Sequence, residues 1–148
     1  MPLWRTFYHI VFATQERRPL LTPPLRAAST RLLQRKAEDL GCVVHAVGVQ
    51  PEHVHLVVSI PPSRAVAFVV AQPKGTSSHA IGAHRLPGEL FAWQRGYGLF
   101  TFGERSLPVI VRYVREQDQH HANGKLWALF ERSGDDDANA SQDHGASP

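Results

Sequence analysis

The sequence is poor in cysteine: Cys42 is the only one. A single thiol excludes an internal disulfide and any zinc site built on several cysteines. No apolar run approaches the roughly 18 residues of a membrane span. The first residues, Met-Pro-Leu-Trp-Arg, lack the apolar core of a signal peptide. The expectation is a cytoplasmic protein. No internal repeat is visible and nothing marks a second domain. Lysine is scarce too, since 13 of the 16 basic residues are arginine, the side chain suited to bidentate phosphate contacts. What remains, 43% hydrophobic and 20% charged over 148 residues, is the composition of one globular domain with a real core.

The net charge of +3 is unevenly spread. Residues 133–148 hold Asp135, Asp136, Asp137 and Asp143 and neither Lys nor Arg, so removing that −4 leaves the first 132 residues at +7. This divides the chain into a domain over 1–132 and an acidic tail over 133–148, which is expected to be disordered. A basic body fits nucleic acid as a partner, and on charge alone fits a solvated basic surface equally well.

Residues 3–13, rich in aromatic and β-branched side chains, predict a strand with Phe7 and Val11 on one face and Tyr8, Ile10 and Phe12 on the other. Thr22-Pro23 opens a helix with Leu25, Ala28, Leu32, Leu33 and Leu40 near helical spacing, and Gly41 ends it. Residues 42–50 and 53–60 read as an antiparallel hairpin turning at Pro51-Glu52. Pro61-Pro62-Ser63 caps a second helix, which Pro73 is expected to break or kink at about Gln72. Residues 84–90 read as a loop. Residues 91–102 predict a fourth strand, with Gly96 and Gly98 marking a bulge or close backbone approach. Ser106-Leu107-Pro108 opens a last helix, expected to reach His121, with Leu107, Ile110, Val111 and Val114 as its core stripe. The order β-α-β-β-α-β-α predicts an α+β, ferredoxin-like (RRM-like) fold. It is an antiparallel βαββαβ sheet with two helices on one face, plus a C-terminal helix.

The chemistry starts on residues 53–60. Alternation sends Val54, Leu56, Val58 and Ile60 to a core face and His53 and His55 to the other. Same-face neighbours on a strand lie about 6.5–7 Å apart, which suits two ligands of one metal ion. On the last helix Tyr113 and Gln117 stand at i, i+4, offset from the apolar stripe, so both are expected to face outward. A tyrosine hydroxyl, with a pKa of about 10, is a poor base at neutral pH. It can still attack a phosphodiester if a cation polarises the phosphate. A divalent metal on His53, His55 and the Gln117 amide oxygen would do so, although these ligand types leave its identity open.

His53-Val54-His55 followed by Tyr113-Val-Arg-Glu-Gln117 resembles the single-tyrosine HUH transposases, the insertion-sequence-200-like and REP-associated tyrosine transposases. Supporting stretches, in order, are Tyr8 to Thr14, Lys74 to Ser78, Trp93 to Gly98 and Gln117 to His121. The match runs from about residue 4 to 123. The resemblance implies an enzyme that cuts and rejoins single-stranded DNA at hairpin element ends. Tyr113 would form a 5′-phosphotyrosine and release a 3′-OH. His53, His55 and Gln117 would hold Mg²⁺ or Mn²⁺. It also implies a homodimer, in which the tyrosine helix of one subunit can complete the site of the other, and the ferredoxin-like sheet. Two features depart from the family pattern: Pro73, where relatives continue a helix, and the acidic tail. Neither removes a catalytic residue.

Arg17, Arg18, Lys74 and Arg95 are candidate DNA contacts, since phosphate contacts tolerate variation in position. Trp93 and Tyr97 offer rings for base stacking, but core packing is the expectation for both. His9 and His45 are expected to be structural, and His120 and His121 to be solvent residues at a helix end. Two other readings share these residues. One is a non-mobile relative retained for DNA or RNA binding. The other is an unrelated metal hydrolase with an HxH motif, although the large barrel hydrolases need about 250 residues.

Overall fold

The computed structural model describes residues 3–83 and 90–117. Its elements are β1 (Tyr8–Ala13), α1 (Pro23–Asp39), β2 (Val43–Val49), β3 (His53–Ser59), α2 (Val66–Ala83), β4 (Gly98–Thr101) and α3 (Leu107–Arg115). The four strands form one antiparallel sheet in the order β2-β3-β1-β4. This is the ferredoxin-like order that the sequence predicts.

The two inner strands are buried on both faces. Val54, Leu56, Val58 and Ile60 pack with Ile10 and Phe12 against Leu33 and Ala37 of α1 and Val69 and Val70 of α2. A smaller core lies on the opposite face, where Ala46 and Val57 meet Ile110, Tyr113 and Val114 of α3. The sheet thus separates two layers, with α1 and α2 on one side and α3 on the other. None of the described helices is long and apolar enough to cross a membrane.

Local signals explain most boundaries. α1 begins with Pro23 after Thr22, where a missing N–H costs nothing. It ends in a Schellman turn: Gly41, at φ +86°, donates to the Glu38 carbonyl at 2.9 Å, and Cys42 donates to the Ala37 carbonyl at 3.1 Å.

Three expectations about element bounds are corrected. β1 starts at Tyr8 rather than residue 3. Pro73 does not break α2, which is helical from Val66 to Ala83. Val69, Pro73, Ser77 and Ile81, four residues apart, form its buried face. Just beyond the proline, Ser77 Oγ receives the Trp93 indole N–H at 3.0 Å. These tertiary contacts hold the helix together across the lost hydrogen bond. Finally, β4 covers only residues 98–101 of the predicted 91–102. Trp93 makes a separate bridge to Thr14. Between the two, Lys74 Nζ donates to the carbonyls of Gln94, Arg95 and Gly96 at 2.6, 3.3 and 3.3 Å. The 84–89 part of the expected loop, His120, His121 and the acidic tail lie outside the described residues.

Candidate active site

β3 carries His53 and His55 on the α3 face of the sheet. Cross-strand register places His53 opposite Ala13, and His55 between Val11 on β1 and Gly48 on β2. The alternation is as predicted, but the face is covered: His53 and His55 are 1% and 0% exposed.

α3 supplies the cover. Its buried side is Ile110, Tyr113, Val114 and Gln117. Tyr113 and Gln117 therefore face inward, contrary to the sequence expectation, because the helix lies flat on the sheet. The Tyr113 ring stands edge-on to His55, 5.6 Å between centroids. Gly48 makes the approach possible, since a Cβ there would lie 2.8 Å from the Val114 carbonyl oxygen and 3.5 Å from Gln117 Oε1. Gln117 thus hangs over the glycine that pairs with His55.

The hydrogen bonds orient the ligand candidates. His53 Nδ1–H donates to the Glu52 carboxylate at 2.9 Å. The Glu52 carbonyl is itself fixed by the Thr14 amide at 2.8 Å and the Thr14 hydroxyl at 3.1 Å. His55 Nδ1 lies 2.7 Å from His9 Nε2. With both Nδ1 atoms engaged, the nitrogen that each ring can offer a cation is Nε2. The Gln117 amide is buried, and neither its oxygen nor its nitrogen has a hydrogen-bond partner among the described residues. A buried amide in that state costs stability, so a site that uses the oxygen as a ligand accounts for it. Among the described residues no three His, Cys, Asp or Glu side chains gather into a metal set. Two imidazoles and one amide oxygen fit a divalent cation with positions left open for a phosphate.

The family model of IS200-like transposases matches residues 2–117. The chain belongs to that family. It is 26% identical over 115 residues to the ISDra2 transposase TnpA of Deinococcus radiodurans, covering 74% of this chain and 82% of that protein. It is also 26% identical over 133 residues to the transposase of insertion sequence IS200 from Salmonella typhimurium, covering 85% and 86%. Two solved structures share the fold. A candidate transposase from Deinococcus radiodurans superposes with a TM-score of 0.63 at 23% identity, over 79% of this chain and 95% of that one. A REP-associated tyrosine transposase bound to a REP hairpin gives 0.62 at 18% identity, over 82% and 74%.

The transposase also holds a residue that sequence reasoning set aside. His9 was expected to be structural, yet it lies in the site, fully buried beside His55 and 6.4 Å from the Tyr113 ring. Burial pushes its pKa down to about 4, so it is neutral at physiological pH. The signal was its place on the Phe7/Val11 face of β1. His45 is structural as expected: its Nε2 lies 2.8 Å from Ser59 Oγ, its ring packs near Phe7, and burial lowers its pKa.

The DNA-contact candidates of the transposase sit on three segments that touch: residues 92–94 hydrogen-bond to residues 13–15, and Lys74 reaches the Arg95 carbonyl. Arg17 and Arg18 occupy the tight turn after β1, where Glu16 and Arg17 adopt left-handed φ values of 58° and 51°. Arg18 is exposed and pairs with Glu16 at 2.7 Å. Arg95 is exposed, whereas Lys74 is half-buried and clamps the 94–96 carbonyls. Trp93 packs edge-on against Phe12 at 4.8 Å, and Tyr97 also joins the main core.

Proposed function

We propose that this transposase cuts and rejoins single-stranded DNA at hairpin element ends through a 5′-phosphotyrosine on Tyr113. The observation that carries the reading is the convergence of Tyr113 and Gln117, one helical turn apart, on the His53–His55 face. In the proposed step the Tyr113 hydroxyl gives up its proton and its oxygen bonds to a backbone phosphorus. The bond from phosphorus to the 3′ oxygen breaks, and that oxygen takes up a proton as a free 3′-OH. The 5′ phosphate stays on Tyr113, and attack by another 3′-OH rejoins the strand without an external energy source. His53, His55 and Gln117 would hold Mg²⁺ or Mn²⁺, which when bound supplies positive charge at the phosphate. The water-poor setting of these residues strengthens such electrostatic stabilisation.

A REP hairpin is the ligand of one structural neighbour, and this supports hairpin DNA as the substrate class here. Arg17, Arg18 and Arg95 are the proposed phosphate contacts, with Lys74 acting on DNA through the segment it clamps. The acting unit is proposed to be a homodimer. Tyr113 packs against His55 of its own chain, so completing the site in trans would require the subunits to exchange α3. The domain is proposed to extend to residue 132, followed by the acidic tail.

One observation favours a second reading, a hairpin-binding relative that does not transpose: Tyr113 is only 1% exposed. Incubation with Mn²⁺ and single-stranded hairpin ends separates the two. The enzyme gives a denaturation-resistant protein–DNA adduct that Tyr113→Phe cannot form. Tight binding without any adduct from the unmodified protein would favour the second reading. An adduct that persists in Tyr113→Phe would overturn the role of Tyr113.

A further inference from the structure

Glu52 and His9 occupy equivalent places around the histidine pair. Each meets the Nδ1 atom of one histidine, at 2.9 and 2.7 Å. The Glu52 case has one solution, because an ionised carboxylate only accepts hydrogen bonds. His53 must then carry its proton on Nδ1, which leaves the lone pair on Nε2.

The His9 case has two solutions. A neutral imidazole has one N–H and one acceptor nitrogen. If His9 donates from Nε2, His55 accepts at Nδ1 and carries its own proton on Nε2, where it blocks a cation. If His55 donates from Nδ1, its Nε2 holds a lone pair. Ring geometry and burial hold the two nitrogens in contact, and the choice of donor follows from the cation that His55 would bind. The rings are 25° from coplanar with centroids 4.9 Å apart, and both are fully buried, so water does not compete for the bond. The register fixes the pair, with Val11 opposite His55 and His9 opposite Val57, which makes His9 the diagonal neighbour of His55 on one face.

We propose that His9 is a positioning residue, whose Nε2 accepts the His55 Nδ1–H bond and holds His55 in its cation-binding tautomer. This rests on the reading of His53, His55 and Gln117 as a metal site. His9 does for His55 what Glu52 does for His53, with an imidazole nitrogen in place of a carboxylate oxygen. Outer partners of metal-bound histidines commonly act this way, and their loss weakens metal binding about 10–100-fold.

The test uses the full chain without DNA. Nitrogen-15 NMR of the metal-free protein reads the tautomer of His55, and calorimetry with Mn²⁺ alone reads affinity in wild type, His9→Leu, His9→Gln and His55→Ala. The expected result is His55 protonated on Nδ1 in wild type. His9→Leu should bind Mn²⁺ about 10–100-fold more weakly, while His9→Gln, which can still present an acceptor, stays within about threefold. A wild-type His55 protonated on Nε2 would overturn the proposal, even if His9→Leu fails to fold. So would a folded His9→Leu with unchanged affinity. Unchanged Mn²⁺ binding in His55→Ala would instead remove the metal site on which the proposal rests.

Discussion

Gly48 on β2 and Val114 on α3 leave no room between them for a side chain: a Cβ on the glycine would lie 2.8 Å from the Val114 carbonyl oxygen and 2.9 Å from its Cγ1 atom. Neither neighbour is the tip of a long, flexible side chain, so Gly48→Ala must lift α3. Overpacking of this kind costs about 1–3 kcal/mol, to be read from urea midpoints. Adduct formation should fall further than that loss of folded protein explains, because Gln117 and Tyr113 ride on the same helix.

Gln117→Leu should have opposite effects on stability and function. The buried amide has no hydrogen-bond partner among the described residues, so replacing it with an apolar group of similar size should stabilise the metal-free protein by about 1–2 kcal/mol. Strand cleavage should collapse if, as proposed, the amide oxygen is a metal ligand. A melting curve without metal and a cleavage assay with Mn²⁺ check the two halves. A less stable variant would mean that the amide has a partner.

Pro73→Ala restores an N–H that can donate to the Val69 carbonyl. Proline in a helix interior is about 3 kcal/mol worse than alanine. Pro73 is also buried, and trimming it forfeits part of that gain. The expected net is a stabilisation of about 1 kcal/mol, measured by urea denaturation, with cleavage unchanged.

Lys74 and Arg95 should separate by salt dependence. Arg95→Ala removes an exposed cation, and the slope of log affinity for hairpin DNA against log salt should shrink by about 0.7–0.9. Lys74→Met removes charge-assisted bonds to three carbonyls. It should lower stability by about 1.5–3 kcal/mol and leave that slope nearly unchanged. Equal changes in slope would make Lys74 a direct phosphate contact.

The sheet was legible because each strand carries its own signal. Alternation in β3 and the Pro51-Glu52 turn are local, and so are the Thr22-Pro23 start and Gly41 stop of α1. The candidate site was half legible. His53 and His55 share a face by strand geometry alone, and Tyr113 and Gln117 share a helix side by spacing. Which flank of α3 meets the sheet was not legible. Around the helix Tyr113 lies about 60° from Ile110, and an apolar stripe wide enough to pack can shift to include it. His9 was missed for another reason: its partner lies across a strand pair, and only the β1–β3 register reveals the contact. Pro73 misled because a local rule, the lost hydrogen bond, was outweighed by packing with residues distant in sequence.

β3 is paired along both edges, to β2 and to β1, and its two faces have opposite uses. A slip of one residue in its pairing would send His53 and His55 into the α1–α2 layer and turn Val54 and Leu56 toward Tyr113. Burying two imidazoles among aliphatic side chains is costly enough to reject that pairing. The same strand therefore acts as its own proofreader, and a mispaired copy would be both unstable and without the histidine face that Tyr113 and Gln117 cover.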